Sequence, residues 1–155
     1  MRFSTVATLF ILYFAVLAFL HVRSVGPFRP EVGERMILTA GSRRISVALA
    51  KTDSERTVGL GGRNSLGSDE GMLFVFPKAG RHGICVKDMR FPIDIIWLNK
   101  CFAVVDMKEN VIPDSFPAVF FPKEINAFVL EVNAGWIEKA RVHFEEKFLP
   151  TPDSC

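Results

Sequence analysis

The sequence predicts a mainly β protein: a single sandwich or barrel with one or two short helices, preceded by an N-terminal hydrophobic helix. Three observations carry this. Apolar runs of about five residues, rich in β-branched and aromatic side chains, recur between Gly, Pro and Asn. Two of them, Ile93–Leu98 and Cys101–Asp106, are apolar at both odd and even positions, so both faces of that sheet must be covered. With 155 residues and 49% hydrophobic content, the chain supports one core.

The chain opens on Phe3 to Leu20, an 18-residue run without a charge, between Arg2 and His21. That length reaches the lower edge of a membrane span, roughly 17–25 residues. Residues 1–23 are therefore expected to be an uncleaved membrane anchor. The rival is a secretory signal, for which Val16-Leu17-Ala18 is a poor cleavage site. On either reading the domain is expected on the exported side, periplasmic or extracellular, and it is secreted if the segment is cleaved. Residues 24–35, with Gly26, Pro27, Pro30 and Gly33, read as a linker.

The β domain is expected over 36–149, with 150–155 as a loose tail. Met36–Ala40 and Ile45–Ala50 are its first strands, joined by a hairpin-sized loop, Gly41–Arg44. Thr52-Asp53-Ser54-Glu55 has the capping-box arrangement, so a short helix runs from Asp53 to about Leu60 and ends at the glycines Gly59, Gly61 and Gly62. Met72–Phe76, Ile84–Asp88 and Ile93–Leu98 are the next strands. Asn99-Lys100 then suggests a two-residue turn, which would pair Leu98 with Cys101, Ile96 with Ala103 and Asp94 with Val105. One face would carry Asp94, Ile96, Leu98, Cys101, Ala103 and Val105, the other Ile93, Ile95, Trp97, Phe102, Val104 and Asp106. Pro113, Pro117 and Pro122 exclude a central strand from Val111 to Glu124. Its phenylalanines, Phe116, Phe120 and Phe121, are read as closing one end of the core, or else as an exposed patch. Phe128–Val132 is a strand, Asn133 caps a helical turn from Ala134 to Ala140, and Val142–Leu149 is the last strand.

Charge and motifs exclude several function classes. Residues 1–24 hold two bases and no acid, which leaves 17 basic and 17 acidic residues in the remainder and no electrostatic footprint for nucleic acid. The three cysteines and three histidines show no metal-ligand spacing, so no metal site is expected. Gly59-Leu60-Gly61-Gly62 follows a helix and leads into a loop, unlike a dinucleotide or phosphate cradle, and no nucleophile elbow occurs. No cofactor is expected. Cys85 and Cys101 read as buried, inert thiols, able to pair only if their strands are neighbours in an oxidising compartment.

Several motifs together resemble a known family. Glu55-Arg56 with Gly59-Leu60, Gly71–Phe76, Lys87, Pro92–Ile96 and Val129–Gly135 look like domain of unknown function 192, over about residues 45 to 149. The resemblance implies a jelly-roll-like sandwich and supplies no activity. Where the family has Gly-Leu-Met-Phe-Arg this chain has Gly59-Leu60-Gly61-Gly62-Arg63, and Ile84–Met89 departs from the family's Phe-Trp-Met-Lys-Asn-Thr.

The same resemblance maps Arg56, Lys87, Asp94 and Glu131 onto the family's recurring polar positions. Asp94 interrupts an apolar face, so its carboxylate needs a partner, for which Lys87 or Arg56 is expected. Two carboxylates and a cation converging in a pocket would bind a small polar or carbohydrate-like ligand. Two other readings stand beside this: an enzyme using Asp94 and Glu131 as an acid/base pair, and a protein-interaction module using the Phe116–Phe121 loop. No complete catalytic motif is present, so no catalytic residue is assigned.

Overall fold

The computed structural model describes residues 34–150. The expected anchor, most of the linker and the tail beyond Pro150 lie outside the described residues. Among those described, no helix is long and apolar enough to cross a membrane.

Seven strands form: β1 (Arg35–Ala40), β2 (Arg43–Ala50), β3 (Glu70–Gly80), β4 (Ile93–Leu98), β5 (Val104–Val111), β6 (Asn126–Asn133) and β7 (Leu149–Pro150). All belong to one sheet in the order β5-β4-β6-β3-β2-β1-β7. Only β2 and β3 pair in parallel, and a parallel pair requires a crossover. That crossover carries α1 (Asp53–Val58). A second short helix, α2 (Trp136–Ala140), follows β6.

The local signals explain the first elements. Gly41, at φ 57°, makes the β1–β2 turn, and Ala40 pairs directly with Arg43, one step tighter than the loop expected. Thr52 Oγ1 accepts from the Glu55 N–H at 3.2 Å, while Glu55 Oε2 accepts from the Thr52 N–H at 2.8 Å, so the capping box forms as expected. The Thr52 N–H first, and then the Lys51 N–H, which donates to the same oxygen, hold the Glu55 carboxyl below its ordinary range. Gly59, at φ 53°, ends the helix.

The chain leading into β7 also meets the start of β5. Phe148 N–H donates to Phe102 O and Val104 N–H to Glu146 O, each at 2.9 Å, while the next residues, Leu149 and Pro150, pair with β1. One mixed sheet thus accounts for all seven strands. The expected strand Val142–Leu149 shrinks to this seam, with a single bridge at Lys147 before β7.

The sheet buries apolar side chains on both faces, here called inner and outer. Leu38, Ile45, Leu73, Ile96, Leu130 and Phe148 belong to the inner core. Met72, Phe74, Ile93, Ile95, Trp97 and Val129 belong to the outer one, under the long connections. All six residues of β4 are buried, as the two-faced apolar pattern requires. Each such large apolar side chain contributes roughly 1.5–3 kcal/mol relative to exposure.

The β4–β5 turn differs from the expectation. Leu98 pairs with Val104, Trp97 with Asp106 and Ile96 with Met107, so the connection runs from Asn99 to Ala103. Asn99 explains this: its side-chain oxygen accepts from the N–H groups of Cys101 (2.8 Å) and Ala103 (3.1 Å), wrapping the chain around itself, with Phe102 at φ 58°. The slip moves Val104 from the expected outer face to the inner core. It also leaves Cys101 exposed at the loop tip.

Candidate functional site

The site lies on the outer face, where α1 and the segment after β3 stand over β6. Asp53, Arg56 and Thr57 occupy positions i, i+3 and i+4 of α1, one side of the helix, and all three line a cavity of about 490 Å³. Phe74 and Phe76, two residues apart on β3, line it as well. Gly61 keeps the turn after α1 close to the opposite wall, since a Cβ there would meet Val58 O at 2.9 Å and Lys87 O at 3.1 Å.

Ile84–Asp88 is not the strand expected. After a single bridge between Ile84 and Phe120 the segment leaves the sheet, and it turns at Asp88, φ 56°, whose carbonyl accepts from the Gly62 N–H at 2.8 Å. Gly83 permits that departure: a Cβ there would lie 2.5 Å from the Phe121 ring. Cys85 and Lys87 consequently face the cavity from exposed backbone. Cys85 and Cys101 are free, exposed thiols, the reverse of the expected burial. A second hollow of about 660 Å³ shares Thr57, Val58, Gly61, Lys87 and Met89 with the first, so Lys87 stands where the two meet.

Glu131 is the residue to which the cavity leads. It is 4% exposed, and its neighbours across the sheet are Met72 and Ile95, both apolar. Its Oε2 is buried without a hydrogen-bond partner. Burial pushes the carboxyl up to about 8, because an unpaired charge in that environment lacks the hydration it would have in water.

The four expected polar residues therefore divide. Arg56, Lys87 and Glu131 line one cavity; Asp94 does not. Across the β4–β6 pair Ile95 faces Glu131 whereas Asp94 faces Val132, so the two carboxylates occupy opposite sides of the sheet. No acid/base pair can form between them. Nor is Asp94 held by Lys87 or Arg56. Its Oδ1 accepts from the Asn110 N–H at 2.9 Å and its Oδ2 from the Ile137 N–H at 3.1 Å, so backbone amides satisfy it.

Arg56 is a strut of the wall. Nη1 donates to Lys51 O (2.5 Å) and Val75 O (2.7 Å), and Nη2 pairs with Asp53. Its guanidinium sits 5.4 Å from the Phe76 centroid, and Phe76 stacks on His82 at 3.7 Å. Asp53, Thr57 and the aromatic wall were missed in the sequence, although the capping box already placed Asp53 and Thr57 beside Arg56. Met89 and Cys85 gave no local signal.

The Pro-rich connection splits as well. Phe120 packs on the outer core, while Phe116, Val119, Phe121 and Ile125 are exposed. Among the described residues no group of three or more His, Cys, Asp or Glu is placed to hold a metal.

A family profile, DUF192, described as Uncharacterized ACR, matches residues 36–148. A crystal structure from Sinorhizobium meliloti 1021, of a protein described as a candidate transcription regulator, is 29% identical with a TM-score of 0.70, covering 76% of this chain and 92% of that one. Another, of a protein of unknown function from Novosphingobium aromaticivorans DSM 12444, is 24% identical with a TM-score of 0.69, covering 81% and 94%. No curated protein matches the sequence.

Proposed function

We propose a function on the premise that the chain belongs to the DUF192 family, itself uncharacterised: the protein is a binding module that receives a small polar molecule in the Glu131 cavity. The observation that carries this is the buried Oε2 of Glu131, without a partner at a cavity lined by Phe74, Phe76 and Ile84. A carboxyl in such a place costs stability unless a ligand meets it, and apolar walls with few convergent polar groups are what small-molecule sites share. Binding without catalysis is favoured because Asp94 is withdrawn to the other face and no second carboxyl is placed to exchange protons with Glu131 beyond the exposed Asp53.

The expected result is that some member of a panel of amines, amino acids and monosaccharides raises the melting temperature of the protein, and that Glu131→Gln removes the shift. A panel that leaves the melting temperature unchanged in every class overturns the reading.

A second reading concerns location. The domain is tethered by Phe3–Leu20 on the exported side of a membrane, supported by the length of that uncharged run. Intact-mass analysis of the membrane fraction should find the full chain. A mature form starting near Phe19 in the soluble fraction would overturn the tether.

The exposed Phe116, Val119, Phe121 and Ile125 favour an additional contact surface for another protein. Substituting Phe116 and Ile125 with Ser should leave binding in the cavity intact, and a loss of that binding would merge the two surfaces into one. The regulator role described for the Sinorhizobium protein is not carried over, since residues beyond 24 balance 17 bases against 17 acids.

A further inference from the structure

The chemistry of the cavity narrows what enters it. Glu131 stands at the buried end and its carboxyl has no cation of its own among the described residues. Arg56 lines the same cavity, but both its terminal nitrogens are engaged by Lys51 O, Val75 O and Asp53. Lys87 is exposed, and its side chain makes no hydrogen bond or ion pair among the described residues. Leu60, Phe74, Phe76, Ile84 and Met89 give the wall its apolar part, and Asp53, Thr57 and Cys85 are its other polar side chains.

From this arrangement we infer that the occupant is an organic ammonium compound, a cationic nitrogen on an apolar or aromatic body, with Glu131 as its counter-ion. The inference rests on the ligand-binding reading of this cavity. Three comparisons of ligand class support it. An anion would find no counter-charge at the buried end, where Glu131 stands without a cation among the described residues. A polyol needs a polar partner for most of its hydroxyls, because each one buried without a hydrogen bond is costly, and apart from Glu131 and the engaged Arg56 the polar side chains of the lining, Asp53, Thr57, Cys85 and Lys87, are all exposed. An ammonium on an apolar body asks for one buried acceptor and a wall that tolerates positive charge. Aromatic faces attract cations, and Phe76 already holds one, the Arg56 guanidinium at 5.4 Å.

Proton balance gives the inference a signature. The ionisable groups around the cavity are Asp53 and Arg56 of α1, Cys85 and Lys87 of the segment after β3, and Glu131 of β6. Met72 and Ile95, which flank Glu131 in the sheet, do not titrate. Burial holds the empty carboxyl in its protonated form up to about pH 8. When the ammonium arrives, the carboxyl O–H bond breaks, the proton leaves for the buffer, and the ligand keeps its own proton. Binding at pH 7 therefore releases close to one proton, and affinity rises as pH approaches 8.

The test is isothermal titration of the full chain at pH 7 in two buffers of different ionisation enthalpy, with benzylamine, benzyl alcohol and methyl glucoside as probes. Benzylamine should bind at least about tenfold more tightly than benzyl alcohol, the margin a charge-assisted hydrogen bond provides. It should also release nearly one proton, and Glu131→Gln should erase both effects while leaving benzyl alcohol unchanged. Equal affinity for the amine and the alcohol, or a preference for the glucoside that Glu131→Gln abolishes, overturns the ammonium assignment and leaves the cavity reading standing. Amine binding that survives Glu131→Gln overturns the counter-ion role. Failure of all three probes, together with a silent melting-temperature panel, overturns both.

Discussion

Glu131→Met should stabilise the protein at pH 8 by on the order of 4 kcal/mol and flatten its dependence on pH. The unfolded chain ionises this carboxyl near 4.5, whereas the folded chain keeps it protonated up to about 8. Between those values the unfolded state has lost a proton that the folded state still holds, so rising pH favours unfolding. The contribution of Glu131 is thus least unfavourable below pH 4.5, worsens by about 1.4 kcal/mol per pH unit through the window, and levels off above pH 8. Methionine fills a similar volume, stays neutral at every pH, and suits neighbours such as Met72 and Ile95. Urea unfolding of wild type and variant at pH 5 and pH 8 measures the difference. Equal slopes with pH would mean that Glu131 is ionised in the folded protein and that a cation such as Lys87, which lines the same cavity, closes over it.

That the protein retains such a residue at the end of an apolar-walled cavity is the strongest argument for its use. A core position selected for stability alone would hold an apolar side chain here, as Val129 does two residues earlier on the same face.

How much of this was legible depended on how local each signal was. Thr52 and Glu55 interact across three residues, so the sequence was enough to place α1, its capping box and its glycine stop. The two apolar faces of β4 were equally plain, and the two cores follow from them. Ile84–Asp88 has the composition of a strand, but whether it stays in the sheet depends on Gly83 lying under Phe121, a contact between segments 38 residues apart in sequence. Asn99 misled for another reason, because its side chain, rather than a two-residue backbone turn, organises the loop. The family motifs named Arg56, Lys87 and Glu131, and these three line one cavity. Asp94 went astray because its face relative to Glu131 is set by the β4–β6 register, Ile95 opposite Glu131, and alternation within either strand leaves that register open.

Asp94→Ala should lose about 3 kcal/mol, since it strips the acceptor from a buried and a part-buried amide at once. Asp94 is fully buried on the inner face and gathers three elements of the fold: its own β4, the end of β5 through the Asn110 N–H, and the start of α2 through the Ile137 N–H. Asn110 sits at φ 51°, a conformation that a non-glycine residue holds only with support. The carboxylate supplies that support. Asp94→Asn retains one acceptor but turns an amide N–H toward a donor, so a smaller loss, roughly 1–3 kcal/mol, is expected. The outcome that separates this backbone role from a buried ion pair is the double variant with Lys87→Met or Arg56→Met. If Asp94 were paired with either cation, removing both partners would recover much of the loss. Because Lys87 and Arg56 line the cavity on the other side of the sheet, their substitutions should instead add to that of Asp94 without coupling. Amide hydrogen exchange should at the same time quicken at Asn110 and Ile137, and rescue by Lys87→Met would overturn the assignment.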